Sequence, residues 1–257
     1  MSAYDIVNKA REKNRLVSSD YVENIFTNFT EMHGDRRFAD DKAIVAGIAF
    51  LRDLPVTVVT IEKGHDTAEK IERNFGSPHP EGYRKALRQM KLAEKFGRPV
   101  VCLVDTAGAY CGIGAEERGQ GQAIAENLME MMTLKVPVIS IIISEGGSGG
   151  ALALAVADEV WMMENAIYSV ISPEGCASIL WKDAGKMEEA AECLKLTSTD
   201  LLSFGIIEEI ISEERQQEEL MSFLQDKLYH KLQERLELPL NELLEQRYAK
   251  FRKIGSF

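Results

Sequence analysis

Histidine and cysteine are both scarce in this 257-residue chain, with four of each. Cys102, Cys111, Cys176 and Cys193 form no CxxC pair, and no histidine stands at zinc-finger spacing from them. That argues against a metal site in this chain and against a disulfide framework. No apolar run approaches the ~18 residues a bilayer-spanning helix needs. Met1 to Leu16 mixes charges of both signs and has no apolar h-region. The expectation is a protein without signal peptide, acting in the cytoplasm and away from the membrane. No GxxxxGK[ST] segment is present, so the chain has no P-loop. Gly112-Ile113-Gly114-Ala115-Glu116-Glu117 puts a glutamate where the dinucleotide fingerprint needs its third glycine. Net positive charge is also lacking. At −11 the chain is a poor general binder of nucleic acid or of an anionic membrane.

What is present reads as one large globular unit. Apolar residues make up 45% and charged residues 28%, ordinary values for a chain that buries a core. Residues 1–32 read as helical, with Ser18, Ser19 or Asp20 opening the second helix. A polar loop follows at His33-Gly34-Asp35-Arg36-Arg37. Two β-type runs, Ala43–Leu51 and Val56–Ile61, flank a turn at Arg52–Pro55. The Asn74–Pro80 stretch is a breaker, and Tyr83, Ala86, Leu87, Met90 and Ala93 make the apolar stripe of a helix that Gly97 ends. Between Lys63 and Arg98 there are nine basic residues against five acidic ones. Two readings of that stretch stand open: a solvated helix face, or a surface toward an anionic ligand.

Two similar units come next. Val100–Val104 and Val138–Ile143 are continuous apolar runs, each entering a glycine-rich loop and then a helix, at about Glu117–Leu134 and Ala151–Ala157. Strands apolar on both faces and alternating with helices predict a mostly parallel α/β sheet. Ligands gather at the carboxyl ends of such strands, where both loops lie. Further strands are expected at Val160–Met163, Ile167–Val170 and Ile206–Ile211. Ser172-Pro173-Glu174-Gly175 reads as a helix opening. Leu220, Leu224, Leu228, Leu232 and Leu236 stripe a tail helix that Pro239 ends, and a last helix carries Leu240, Leu243, Leu244 and Phe251. The stripe serves either the core or a partner.

The loops carry the chemistry. Ser144-Glu145-Gly146-Gly147-Ser148-Gly149-Gly150 lets a ligand approach the backbone, and the free N–H groups of a following helix meet it. That is the equipment of an oxyanion hole. The first loop, Asp105 to Gly121, adds N–H groups and one aromatic ring. Glu116 and Glu117 read as structural carboxylates opening a helix. Gly146-Gly147-Ser148-Gly149-Gly150 also matches the GxSxG nucleophile elbow, with Ser148 as nucleophile. The only histidine beyond it is His230, in the leucine-striped tail, which argues against a hydrolase triad. The site is rich in backbone donors and poor in acids, bases and nucleophiles. Enolate chemistry on a thioester, with the proton acceptor supplied by the substrates, suits such a site.

Several long segments resemble the carboxyltransferase α subunit of bacterial acetyl-CoA carboxylase. They are Asp105–Tyr110 through Gly114–Gln120, Glu145–Ala153, Tyr168–Trp181, His33–Arg36, Arg73–Gly76 and Pro80–Arg88, covering roughly residues 20–211. The resemblance implies a crotonase-like (ClpP/crotonase) α/β fold of stacked ββα units in a single domain. Residues 1–32 and 212–257 would flank a core at 33–211. It implies a transferase that moves a carboxyl group from carboxybiotin on a carrier protein to acetyl-CoA, giving malonyl-CoA for fatty-acid biosynthesis. The implied partners are a β subunit, in an α2β2 heterotetramer, the biotin carboxyl carrier protein and biotin carboxylase. Zinc is expected in the β subunit and ATP is used elsewhere in the complex. Biotin itself takes the methyl proton once CO2 has left. By motif, the backbone N–H groups of Gly149, Gly150 and Ala151, with Gly146 and Gly147, form the oxyanion hole for biotin. Gly108, Ala109, Tyr110, Gly112 and Gly114 line its side. The family pattern commonly has proline at Cys111 and Ala107, glycine at Ser144, and a Gly-Gly-Ala-His segment where this chain has Glu213–Glu219. A serine hydrolase using Ser148 and a non-catalytic scaffold for the β subunit are the two other readings.

Overall fold

The computed structural model describes residues 1–255. Two helices, α1 (Ala3–Ala10) and α2 (Ser18–Ile25), come first. Ser2 caps α1 by accepting from the Asp5 N–H. In α2 the cap position is Val17, one residue ahead of the serines. Asp20 accepts the Val17 N–H from inside the first turn, while Ser18 is buried and donates to the Ile61 carbonyl. The segment after α2 is a strand where the sequence predicted helix: β1 (Thr27–Glu31) pairs antiparallel with β2 (Ile44–Leu51). It is an edge strand with mostly exposed polar side chains, so its sequence shows no clear alternation.

β2 returns as β3 (Leu54–Ile61) through a turn of only two residues, Arg52 and Asp53. Leu54 and Pro55, expected in the turn, already belong to β3. Then come α3 (Thr67–Glu72) and α4 (Pro80–Phe96). Proline opens α4, and left-handed Gly97 ends it. The predicted stripe faces inward, with Tyr83, Ala86, Met90 and Ala93 fully buried and Leu87 half-buried.

The centre of the sheet is β4 (Val100–Thr106) and β5 (Val138–Gly147), both buried along almost their whole length. Between them lie α5 (Ile113–Glu117) and α6 (Gln120–Met132). β5 leads into α7 (Ser148–Leu152), then β6 (Glu159–Met163) and β7 (Ile167–Ser169). Ser172 caps α8 (Pro173–Leu180) by accepting from the Gly175 N–H, as its sequence predicts. α9 (Met187–Leu194) and α10 (Ser198–Ser203) follow. β8 is shorter than expected, Glu209–Ile211, because Ile206 and Ile207 are tied to Leu201 at the end of α10. The sheet runs β1-β2-β3-β4-β5-β6-β8, parallel from β3 onward. β7 joins the far half of β5, beyond where β6 pairs with it.

The chain ends in α11 (Gln217–Leu236) and α12 (Leu240–Lys253). Leu220, Leu224, Leu228 and Leu232 are buried in the main core, so core packing accounts for this part of the leucine stripe. Leu236 and Leu240, at the break, are exposed. One buried arginine fixes α12. Arg247 makes two bonds to Asp158, at 2.8 and 2.7 Å, and donates to the carbonyls of Met131, Leu134 and Val136. Five donors thus meet five acceptors, which lets a guanidinium stand where only 1% of its surface is exposed.

Candidate active site

Because β4 and β5 are parallel, both glycine-rich segments emerge on one edge of the sheet, and there they touch. A Cβ on Gly147 would stand 2.1 Å from the Ala107 carbonyl oxygen. One on Gly150 would stand 2.5 Å from the Ala109 nitrogen. Neither contact leaves room for a side chain, so glycine here serves close approach. Gly146 and Gly147 are not loop residues. They lie in the ladder, with Gly146 opposite Thr106 on one side and both glycines opposite Tyr168 and Ser169 on the other.

α7 begins at Ser148, inside the glycine run, and lasts five residues, not from Ala151 to Ala157. The N–H groups of Ser148, Gly149 and Gly150 therefore make the opening turn and have no acceptor within the helix, and that of Ala151 makes no bond back to the Gly147 carbonyl. A helix this short adds little macrodipole, so any charge would be met by the donors themselves. The Ala109 N–H also donates to no group among the described residues. The two segments thus approach within contact distance, and each carries N–H groups without an acceptor.

The first segment is firmly held. Thr106 donates its hydroxyl hydrogen to the Gly108 carbonyl at 2.9 Å and accepts the Gly108 N–H at 3.0 Å. Gly108 itself has φ +151°. The Tyr110 N–H reaches the Pro78 carbonyl, and Gln120 Nε2 donates to the carbonyls of both Pro78 and Tyr110. The Tyr110 ring, over a third exposed, lies 4.4 Å from the His79 ring. Gly112 leaves room for that ring, since a Cβ there would come within 2.3 Å of it. Gly114 lies within α5, its Cβ position 3.1 Å from Arg118 Nη1. Glu116 and Glu117 end α5 and do not open the next helix, which starts at Gln120. Both are exposed.

Beneath this edge lies a network of charges. Lys63 Nζ sits 2.8 Å from Asp105 Oδ1 and 3.0 Å from Glu145 Oε2. Arg11 Nε holds the other oxygen of Glu145 at 2.7 Å. Burial alone would lift the Glu145 carboxyl, but the Lys63 ammonium and the Arg11 guanidinium hold it below the usual carboxylate range. Burial works against the Lys63 charge, and Asp105 and Glu145 overcome it, so its pKa is raised. Glu145 is thus an anchored anion, poorly suited to serve as a base. The Ser144 hydroxyl is buried and donates to the Ala10 carbonyl, tying the end of α1 to β5.

Three of the nine cations of the basic stretch are taken up inside the protein: Lys63, Arg84, which pairs with Asp35 at 2.7 Å, and fully buried Lys85, which pairs with Asp40 at 2.6 Å. The other six, Lys70, Arg73, Arg88, Lys91, Lys95 and Arg98, are half-buried or exposed, as a solvated face requires. Arg36, Arg37, Arg88 and Lys91 line an open cleft of about 350 Å³ beside α4. Ser148 is exposed, has φ +54°, and hydrogen-bonds to no histidine; His230 lies on α11. Among the described residues no cluster of three or more metal-ligating side chains occurs, and no helix is long and apolar enough to cross a membrane. Reading the sequence alone missed Thr106 and Gln120 as braces of the first turn and Lys63 as its charged footing. Their flanking positions in the motifs were the only available signal.

Solved structures share this architecture. Transcarboxylase 12S superposes with a TM-score of 0.69 at 19% identity, over 88% of this chain and 44% of the other. A Pseudomonas malonate decarboxylase hetero-tetramer contains a chain that superposes at 0.68 with 17% identity, over 84% and 91%. The fold is therefore the crotonase-like α/β fold of carboxyltransferases. At the sequence level, residues 1–255 match the family described as acetyl co-enzyme A carboxylase carboxyltransferase-like. An acetyl-coenzyme A carboxylase carboxyl transferase subunit alpha from Ruminiclostridium cellulolyticum is 64% identical, over 99% of this chain and 98% of the relative. One from Streptococcus pneumoniae is 58% identical, over 98% and 100%. The chain belongs to this acetyl co-enzyme A carboxylase carboxyltransferase-like family.

Proposed function

We propose that the chain is the α subunit of an acetyl-CoA carboxylase carboxyltransferase, transferring the carboxyl group of carboxybiotin to acetyl-CoA to form malonyl-CoA. It acts as one unit in the cytoplasm, with its terminal helices bracketing the sheet. One observation carries the reading beyond kinship. The two glycine-rich segments meet so closely that only backbone fits between them, and each leaves N–H groups unpaired there. The residues fit a neutral ring with one oxygen that gains negative charge, because the donors are fixed before the charge appears.

Carboxybiotin, brought by a carrier protein, supplies the carboxyl group. The N–H groups of Gly149, Gly150 and Ala151, with that of Ala109, would hold the ureido oxygen, and Gly146 and Gly147 set the spacing. Gly108, Tyr110, Gly112 and Gly114 form the wall on the biotin side. Glu145 is no free base, since it is locked between Lys63 and Arg11. Bound biotin would supply both the carboxyl group and, on the nitrogen that gives it up, an acceptor for the acetyl methyl proton, so this chain's residues need only hold and orient it. A β subunit, completing an α2β2 assembly and carrying zinc, holds the thioester. Biotin carboxylase uses ATP to load the carrier. The test is reconstitution with a β subunit and carboxybiotin: malonyl-CoA should form only when both chains are present. Full activity of this chain by itself would refute the reading.

A further inference from the structure

Tyr83 stands directly behind the junction of the two glycine-rich segments. It lies in the first turn of α4 and is fully buried. A Cβ on Gly150 would come within 2.9 Å of its hydroxyl oxygen and 2.5 Å of the Ala109 nitrogen. The hydroxyl is therefore a close neighbour of both segments. It has no hydrogen-bond partner in the structure. Its other surroundings are apolar: Ala123, Ala153, Ala109 and Ile124 pack with it. Burial, assisted by the charge of Asp41, pushes the phenol well above its ordinary range, so it stays a neutral O–H at any working pH.

An unpaired buried hydroxyl is a net cost to folding, and phenylalanine would fill the same space without it. Four of the groups nearest to it already have structural explanations: Gly108, Ala109 and Gly150 by close approach, and Ala153 by the Asn127 Nδ2 bond to its carbonyl. The hydroxyl has none. Two other orphaned side-chain atoms, Gln120 Oε1 and Asn127 Oδ1, sit on α6, the helix packed against α4.

We propose that Tyr83 is a positioning residue for the carboxyl-transfer reaction. Its O–H turns toward the Gly108–Ala109 and Gly150 backbone and strengthens the hold of those N–H groups on negative charge in the transition state. This rests on the carboxyltransferase reading above. The dipole acts at short range in a water-free setting, where it is screened little, and it rotates without moving the ring. Because the phenol does not ionise, it adds no limb to the pH–rate profile.

The test is Tyr83→Phe in the assembled carboxyltransferase with its β subunit. The expected result is a kcat lowered about three- to tenfold, the worth of one neutral hydrogen bond. KM for acetyl-CoA, the pH profile and subunit assembly should stay as in the wild type, and Tm should be equal or higher. Unchanged kcat would show that the hydroxyl has no part in the reaction. A lowered Tm with a matching loss of active protein would make it a structural group and equally overturn the proposal. As a measurement that needs no turnover, fluorotyrosine at position 83 should shift its ¹⁹F resonance when free biotin is added. No shift at saturating biotin would count against it. Failure of the wild-type assembly to make malonyl-CoA would sink the carboxyltransferase reading instead, a distinguishable outcome.

Discussion

Gly150→Ala is the smallest change that probes the meeting of the two segments. The added methyl carbon would stand 2.5 Å from the Ala109 nitrogen and 2.9 Å from the Gly108 carbonyl carbon, whereas ordinary contact begins at 3.4 Å. The difference, 3.4 less 2.5, requires the backbone at Ala109 to retreat by about 0.9 Å. These two neighbours are main chain, and the third, the Tyr83 hydroxyl at 2.9 Å, belongs to a fully buried ring, so nothing can swing aside freely. Displacements near 1 Å in a reacting geometry cost on the order of 100-fold in rate, about 2.7 kcal/mol of barrier. The overpacking itself costs ~1–3 kcal/mol of stability, offset by up to ~1 kcal/mol because alanine suits a helix better than glycine. The variant should therefore fold, with a Tm lowered by at most about 10 °C. The matching control is Gly149→Ala, whose methyl would meet only Ile124 Cγ2 at 3.5 Å. The assay is malonyl-CoA formation with saturating β subunit, alongside circular dichroism and co-purification. Gly150→Ala should lose about two orders of magnitude in kcat, and Gly149→Ala no more than a few-fold. Wild-type turnover in Gly150→Ala, or equal damage in both variants, would refute the reasoning.

Other expectations follow from the same geometry. Ser148→Ala should keep carboxyl transfer within about twofold, because Ser148 contributes backbone and not a nucleophile; labelling of the wild type by a fluorophosphonate, lost in Ser148→Ala, would revive the hydrolase reading. Lys63→Met leaves buried Asp105 without its cation and Glu145 with Arg11 alone, so urea unfolding should show a loss of about 3 kcal/mol. Glu145 has its folded pKa held below the usual 4.5. Its stabilising effect is therefore complete above about pH 4.5 and is lost as pH falls through the folded value. Urea midpoints measured from pH 6 downward should drop in that window, and Glu145→Gln should flatten the drop.

The parts of the fold that are legible from sequence are those where one local cause decides. Val100–Val104 and Val138–Ile143 declare themselves as strands because both faces are buried, and Ser172 and Gly97 mark helix ends by their own chemistry. β1 was missed because Thr27–Glu31 lies at an edge, mostly solvated, with no period to read. The site was legible as two glycine-rich segments, yet their contact was not. Nothing local to Ala107 or Ala109 says that Gly147 and Gly150 will press against it. Three cations of the basic stretch were illegible for the same reason. Arg84 meets Asp35 across 49 residues, Lys85 meets Asp40 across 45, and Lys63 meets Glu145 across 82. A charge count over a window sees the cations and not the distant carboxylates that neutralise them.

The Arg247 clasp has a consequence for the order in which the protein is made. Asp158 leaves the ribosome 89 residues ahead of the arginine that neutralises it. At ~5–20 residues per second that interval is on the order of 4 to 18 seconds. Throughout it, the carbonyls of Met131, Leu134 and Val136 also await their donor. The strands that present the glycine-rich edge are already outside by then, while the opposite side of the sheet cannot close. Translation thus builds the reactive edge first and locks the molecule from behind, and a nascent chain halted before α12 would hold a buried aspartate with no cation to meet it.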